Sequence, residues 1–255
     1  MTYAILQADG APATTEQFKL AYRALKQFTA ADAVKFARQS AGVLAKHLSV
    51  PDAALLQQAF QAQGIAAEAV PQAQLPALAN VKFTKRVEFQ PEALMVYDVI
   101  GRAVPVEWTK IEVIAAGIVP RVNTVSVVEE VNEIVFGGEL GVQYMTETTV
   151  RHRLETDSVL TLDLIVAGGA MRFQMEGDSL LFKYAFDRPE LDARQKFAEL
   201  ARQIIQRAPG AQLNRGATQL RDGTPLPALY ANKVAFADES AWLLWRASRK
   251  SATPQ

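Results

Sequence analysis

Cysteine is absent from the chain, which excludes disulfide scaffolds, thiolate metal sites and cysteine nucleophiles. Histidine is scarce: there are two, His47 and His152. Neither stands in an H-E-x-x-H or comparable ligand spacing, so each reads as a structural residue. No sign of charge dominates, because 27 Lys and Arg balance 27 Asp and Glu. The basic surplus that phosphate contacts demand of a general nucleic-acid binder is therefore missing. No apolar run approaches the roughly 20 residues that span a bilayer; the stretch Trp108 to Val119 is broken by Lys110 and Glu112. The opening MTYAILQADGAPATTEQ lacks the basic and apolar regions of a signal peptide, so a cytoplasmic location is expected.

Catalytic signatures are equally thin. FGGELG at 136–141 lacks the G-K-[ST] ending of a phosphate loop and has no helix after it, so it reads as a turn or bulge. No G-x-S-x-G elbow is present. Glu129, Glu130 and Glu133 cluster in sequence but read as a solvated acidic loop, since hard cations need several converging oxygens. Asp238 and Glu239, followed by Ser240, read as a helix start rather than an acid–base pair. Arg246, Arg249 and Lys250 form a small basic end, a solvated terminus or a weak anion contact. No catalytic, cofactor-binding or metal-binding residue is assigned, and no cofactor is expected.

What is present is enough apolar sequence, 49% of 255 residues, to build a real core in two domains. Tyr3–Gln7 is a short strand. Thr14 or Thr15 caps a helix with Phe18, Ala21, Tyr22, Leu25 and Phe28 at helical spacing. Thr29 or Asp32 opens a second helix, with Ala33, Phe36 and Ala37 on one face and Gly42 at its end. GVLAKHLS alternates, predicting a strand with Val43, Ala45 and His47 on one side. Ser49 and Pro51 start a third helix with Leu55, Leu56, Ala59 and Phe60 as its stripe, Gly64 stops it, and IAAEAV is a strand. The result is a small β-α-α-β-α-β domain over 1–72, with a linker at 73–80.

From Val81 the pattern turns to strands: VKFTKRVEF, then LMVYDVIG, then VPVEWTKIEVI, expected to end at Gly117. Two or three strands are expected over 121–157. TLDLIVAGGAMRFQME reads as a hairpin, its paired glycines supplying positive φ. SLLFKYAF reads as another strand. Asp192 and Gln195 have capping-box spacing, opening a helix whose stripe is Phe197, Leu200, Ala201, Ile204 and Ile205. The fold class expected is α+β, with the small domain followed over 81–210 by a curved antiparallel barrel closed by that amphipathic helix. The tail 211–246, with its two tryptophans, is expected to pack on the barrel, and 247–255 to be a mobile end.

Two resemblances follow. Residues 29–70, through AADAVKFARQSAGVLAKHLSVPDAALLQQAFQAQGIAAEAV, resemble the fold shared by the bacterial ribosomal stalk C-terminal domain and the Clp protease adaptor. The stalk's lysine-rich factor-binding helix is not evident, and the adaptor's pocket histidine does not align with His47, so no site carries over. VPVEWTKIEVIAAG, LTLDLIVAGGAMRFQMEG and FAELARQII resemble bacterial pleckstrin-homology-like domains. That likeness implies a barrel that binds protein or lipid without catalysis. The whole is similar to multi-domain bacterial proteins, which implies no activity. The function expected is a non-catalytic interaction or scaffold protein whose partner is a protein segment. A peripheral lipid or membrane-surface binder is one alternative. The other is an enzyme with a carboxylate and arginine site, for which Arg172, Tyr184 and Asp187 are the positions to inspect.

Overall fold

The computed structural model describes the backbone of residues 1–11, 13–39, 41–136 and 142–252, and the side chains of these except 39, 123–136, 142–155 and 250–252. It is mixed α+β. The element order is β1 (Tyr3–Gln7), α1 (Thr15–Tyr22), α2 (Ala30–Gln39), β2 (Val43–Leu48), α3 (Val50–Ala62), β3 (Ala67–Pro71), β4 (Lys82–Phe83), β5 (Arg86–Phe89), β6 (Ala93–Tyr97), β7 (Ala103–Glu107), β8 (Ile111–Phe136), β9 (Val142–Val166), β10 (Met171–Glu176), α4 (Ala193–Arg207), β11 (Gln212–Leu213), α5 (Arg215–Arg221) and α6 (Lys233–Ala252). The described strands form three sheets, ordered β2-β1-β3, β11-β8-β9-β10-β4 and β5-β6-β7, and none of these orders closes on itself. Two compact units divide the chain: Met1–Val119 with Val159–Gln255, and Pro120–Ser158, which holds the later part of β8 and the earlier part of β9.

Local signals set most helix starts. Thr14 and Gln17 form a capping box on α1, and Asp192 and Gln195 do so on α4. Thr29 and Asp32 exchange the same pair of bonds at α2, while Ser49 caps α3 with Pro51 in its first turn. Each cap satisfies N–H groups that the helix leaves orphaned. The buried residues of α3 are Ala53, Leu56 and Phe60, whereas Leu55, expected in the stripe, is 49% exposed.

Packing within the larger unit is layered. Helices α1 to α3 cover one face of the β2-β1-β3 sheet, where Phe18, Tyr22, Leu56 and Phe60 meet Ile5, Leu44 and Leu48. On its other face Ala4, Leu6, Val43 and Val70 cluster with Trp242, Leu243, Leu244 and Trp245 of α6, and so do Val113, Ala115 and Ile165 of the central sheet. The far face of that sheet packs Ile114, Leu162, Leu164 and Phe173 against Phe197, Leu200, Ala201 and Ile204 of α4. A helix thus lies between two sheets, and the apolar run around Val113–Ala116 reflects a strand covered on both faces. The two tail tryptophans bury themselves there rather than at a surface.

Three strand expectations are corrected. The strand expected through Trp108 to Gly117 is two: β7 ends at Glu107, a single 3₁₀ turn at Trp108–Lys110 redirects the chain, and β8 begins at Ile111. The indole Nε1–H of Trp108 is anchored on the carbonyls of Gln90 and Pro91, 3.1 Å from each. Gly117 does not end β8; it makes room, because a Cβ there would lie 2.6 Å from the Tyr230 ring. Residues 179–186 form a 3₁₀ turn at Phe182–Tyr184 instead of a strand. Finally, β2 does not alternate. Its register against β1 shifts twice, and Leu44 and Ala45 both enter the helix-side core. The irregularity includes His47, held at φ 59°, a positive value that few non-glycine residues adopt. The β9–β10 hairpin forms as expected, from Met171↔Val166 to Glu176↔Thr161. In the long region after Arg121 the backbone belongs to β8 and β9 alone apart from 137–141, which lie outside the described residues, as does most of the FGGELG stretch.

Gly42 is the tightest junction between α6 and the N-terminal sheet. Its φ is 80°, and a Cβ there would fall 1.8 Å from Cδ2 of Trp242. Gly42→Ala is expected to cost about 2–4 kcal/mol from backbone strain and overpacking together. Urea unfolding with Trp fluorescence checks this, and a midpoint unchanged from wild type would contradict the packing described.

Candidate functional site

Most exposed apolar residues of a folded chain are scattered and need no explanation. Those around the β6–β7 turn are different, because the backbone is built to hold them out. Residues Asp98 to Arg102 close a tight turn, with Gly101 N–H donating to the Asp98 carbonyl and Asp98 N–H to the Arg102 carbonyl, both at 3.0 Å. The Asp98 carboxylate stiffens it: Oδ1 accepts from the Ile100 and Arg102 N–H groups at 3.0 and 2.9 Å, and Oδ2 from Arg102 Nε at 2.9 Å. These bonds, the backbone ones first, hold the Asp98 carboxyl below the usual carboxylate range. Gly101 supplies the positive φ, 84°, as the last position of such a turn requires. Between them Val99 is 86% and Ile100 70% exposed.

Two further segments join this turn. The Thr84 hydroxyl donates to the Tyr97 carbonyl at 2.7 Å. Arg86 lies between two rings, 4.1 Å from the centroid of Tyr97 and 4.2 Å from that of Tyr184. Glu88 accepts from Arg86 Nε and from the Tyr97 hydroxyl, both at 2.9 Å, and those two bonds, Arg86 first, lower its protonation range. Leu181 N–H donates to the Lys85 carbonyl at 2.8 Å. Phe83, Leu181 and Tyr184 are exposed on these segments, as are Lys82, Lys85, Lys183 and Arg102. The three lysines have no ion-pair partner among the described residues, whereas the carboxylates Glu88 and Asp98 are both committed to arginines. These segments carry exposed apolar side chains and three lysines, and the exposed Asp178 and Asp187 flank the second of them.

Two polar clusters lie inside the protein. In the first, Asp163 of β9 accepts from Gln174 Nε2 and Arg172 Nε of β10, both at 2.6 Å. Burial pushes its carboxyl upward, against the pull of the Arg172 charge. In the second, Glu239 of α6 accepts from the Tyr230 hydroxyl at 2.6 Å and from Arg215 N–H at 2.8 Å. Burial raises the Glu239 carboxyl, opposed by these donors, and raises the Tyr230 hydroxyl as well. Asn214 Nδ2 donates to the Tyr230 oxygen at 2.7 Å, extending the network to the N-cap of α5. Both clusters tie one element to another, and neither contains a nucleophile with a free base beside it.

The positions singled out from sequence do not converge. Arg172 pairs with buried Asp163, Tyr184 stacks on Arg86, and Asp187, a little further along the chain, is exposed. Asp238 and Glu239 are not a helix start: α6 begins at Lys233, with Asn232 Oδ1 accepting from Ala235 N–H at 2.8 Å. Asp238 pairs with Lys46 at 2.5 Å, while Glu239 turns inward. His47 is exposed and its N–H donates to Gln72 Oε1 at 3.1 Å. The side chains of His152, Glu129, Glu130, Glu133 and Lys250 lie outside the described residues. No group of three or more metal-ligating side chains occurs among the described residues.

Comparison with known proteins gives no relative to argue from: no family model, no curated protein and no solved structure matches the chain. The missed residues are Val99 and Ile100, which in sequence look like the end of a buried strand. The signal that marks them is the Asp98-x-x-Gly101 spacing of a turn around them.

Proposed function

We propose that this is a non-catalytic, peripheral docking protein that attaches to an anionic membrane surface through the β6–β7 turn. The observation that carries the reading is a hydrogen-bonded turn that presents Val99 and Ile100 to solvent beside unpaired lysines. Among the described residues no helix is long and apolar enough to cross a membrane. Inserting an aliphatic side chain is worth about 1.5–3 kcal/mol when fully buried, and each lysine near an anionic leaflet adds about 1 kcal/mol. Together these give reversible attachment that weakens with salt. Aliphatic side chains carried on a protruding turn, with lysines beside them, suit an interface better than a protein pocket. Protein hot spots favour Trp, Tyr and Arg packed in a desolvated centre.

Vesicle co-sedimentation tests this with phosphatidylserine–phosphatidylcholine vesicles against phosphatidylcholine alone. Binding is expected to the anionic vesicles only, to fall between low and physiological salt, and to be lost in Val99→Asp/Ile100→Asp. No sedimentation at low salt, or equal sedimentation of the variant, overturns the reading. Should the variant instead lose a protein captured from cells while wild type ignores vesicles, the turn docks on protein.

A further inference from the structure

A cleft of about 530 Å³ opens between the N-terminal sheet and the C-terminal helices, lined among others by Gln7, Phe18, Arg215, Glu239, Trp242 and Arg246. That size is ordinary for a small-molecule site, which is mostly apolar with a few placed polar groups. The walls fit this description, since Phe18, Trp242 and Leu243 are core side chains that also border the cleft.

Its cations are underused. Arg246 lies over the indole of Trp242, 4.8 Å from the ring centroid, and has no carboxylate partner among the described residues. Gly10 gives it room, because a Cβ at that position would sit 3.3 Å from Nη1. Arg215 stacks on Tyr230 at 4.5 Å, and its Nε is buried with no hydrogen-bond partner. The Glu239 carboxylate is 3.5 Å from that nitrogen, an ion pair without hydrogen-bond geometry, and its oxygens are already engaged by Tyr230 and Arg215 N–H. Asp9 is held by the Gln7 amide at 2.8 Å and does not line the cleft. A buried donor with no acceptor is costly, and one kept in a folded protein calls for an explanation, of which a bound acceptor is one.

We infer that this cleft binds a small carboxylic acid, with its carboxylate between Arg215 and Arg246 and its apolar body against Trp242 and Phe18. Two guanidinium groups facing one carboxylate leave a single positive charge to match, which favours a monoanion over a dianion. Guanidinium forks suit the planar carboxylate. This site is separate from the docking turn, so either reading can fail alone.

Isothermal titration of the full chain with indole-3-acetate, octanoate, octanamide and phenyl phosphate tests it, with Trp fluorescence as a second readout. The carboxylates are expected to bind with sub-millimolar Kd and octanamide not at all. Arg246→Gln, which keeps a polar stem over Trp242, is expected to weaken the carboxylates at least about tenfold, the loss of one charge-assisted hydrogen bond. Arg215→Met provides a second variant with the same expectation. Tighter binding of phenyl phosphate than of either carboxylate overturns the carboxylate assignment. Absence of binding, or equal binding by wild type and both folded variants, overturns the site.

Discussion

Replacing Asn214 by alanine is expected to lower the unfolding free energy by about 3–7 kcal/mol. One side chain does three jobs here. As N-cap of α5, its Oδ1 accepts from Ala217 N–H at 2.8 Å. The same oxygen accepts from Ala116 N–H at 2.9 Å, and Nδ2 donates back to the Ala116 carbonyl at 3.0 Å. These two bonds continue the β11–β8 ladder, which pairs Gln212↔Val113 and Leu213↔Ile114, by one further step made from a side chain. Nδ2 also reaches the Tyr230 hydroxyl at 2.7 Å. Alanine removes the cap, worth about 1 kcal/mol, and strands both polar groups of Ala116, each costing about 1–3 kcal/mol when buried. Gly216 cannot relax toward the gap freely, since its Cα already faces the Ala116 carbonyl closely enough that a Cβ would lie 1.9 Å from the oxygen. Asn214→Asp keeps the acceptor and loses the donor, so it is expected to fall between wild type and alanine. Urea unfolding of the three proteins measures this. An alanine variant within about 1 kcal/mol of wild type would show that Asn214 does not bridge β8 and α5.

The parts of the fold that could be read have local determinants. The Thr14 cap, the Asp192 capping box and the paired glycines after Val166 act within a few residues, and each appears where the residue pattern put it. The α4 stripe is legible for the same reason: Phe197, Leu200, Ala201, Ile204 and Ile205 are all buried. What failed depended on distant partners. Ala45 joins the helix-side core because β2 carries bulges against β1, and bulges leave no mark on a six-residue alternation. Asp238-Glu239-Ser240 has the composition of a helix start, but α6 continues through it: Lys46 neutralises Asp238, and Tyr230 with the Arg215 amide takes up Glu239. All three partners lie outside the helix. The Asp98–Arg102 turn was missed on different grounds. Val99 and Ile100 complete the apolar run LMVYDVI, and only the bonds of Asp98 to Ile100 and Arg102 show that the chain has already turned. The cleft arginines were noted in part, as the Arg246 end of a basic tail. Arg215 comes into reach only through the fold.

The second large effect is expected at Asp163. Its side chain has no exposure, and Arg172 retains 12%. Asp163 stands directly opposite Gln174 across the β9–β10 pair and diagonal to Arg172, so one carboxylate serves both donors on the same sheet face. Asp163→Ala leaves a nearly buried guanidinium and an 8% exposed amide without their acceptor. Breaking a buried pair from one side costs about 3–5 kcal/mol, and a stranded neutral donor adds about 1–3, so a loss of about 4–8 kcal/mol is expected. Replacing Asp163, Arg172 and Gln174 together by leucine removes all three desolvation penalties and should lose much less than the single variant. A pH series separates the part due to desolvating the carboxylate, which outweighs the pull of Arg172. Burial raises the Asp163 carboxyl in the folded chain, so the native state holds that proton more tightly than the unfolded chain does. Its contribution to stability is therefore fully present below the ordinary carboxylate range and declines as pH rises from about 4 toward the raised value. The triple variant should lack this component of the slope. A single variant as stable as wild type, or a triple variant worse than the single, would mean that the three side chains do not act as one unit and that β9 and β10 are held by their ladder and by α4 alone.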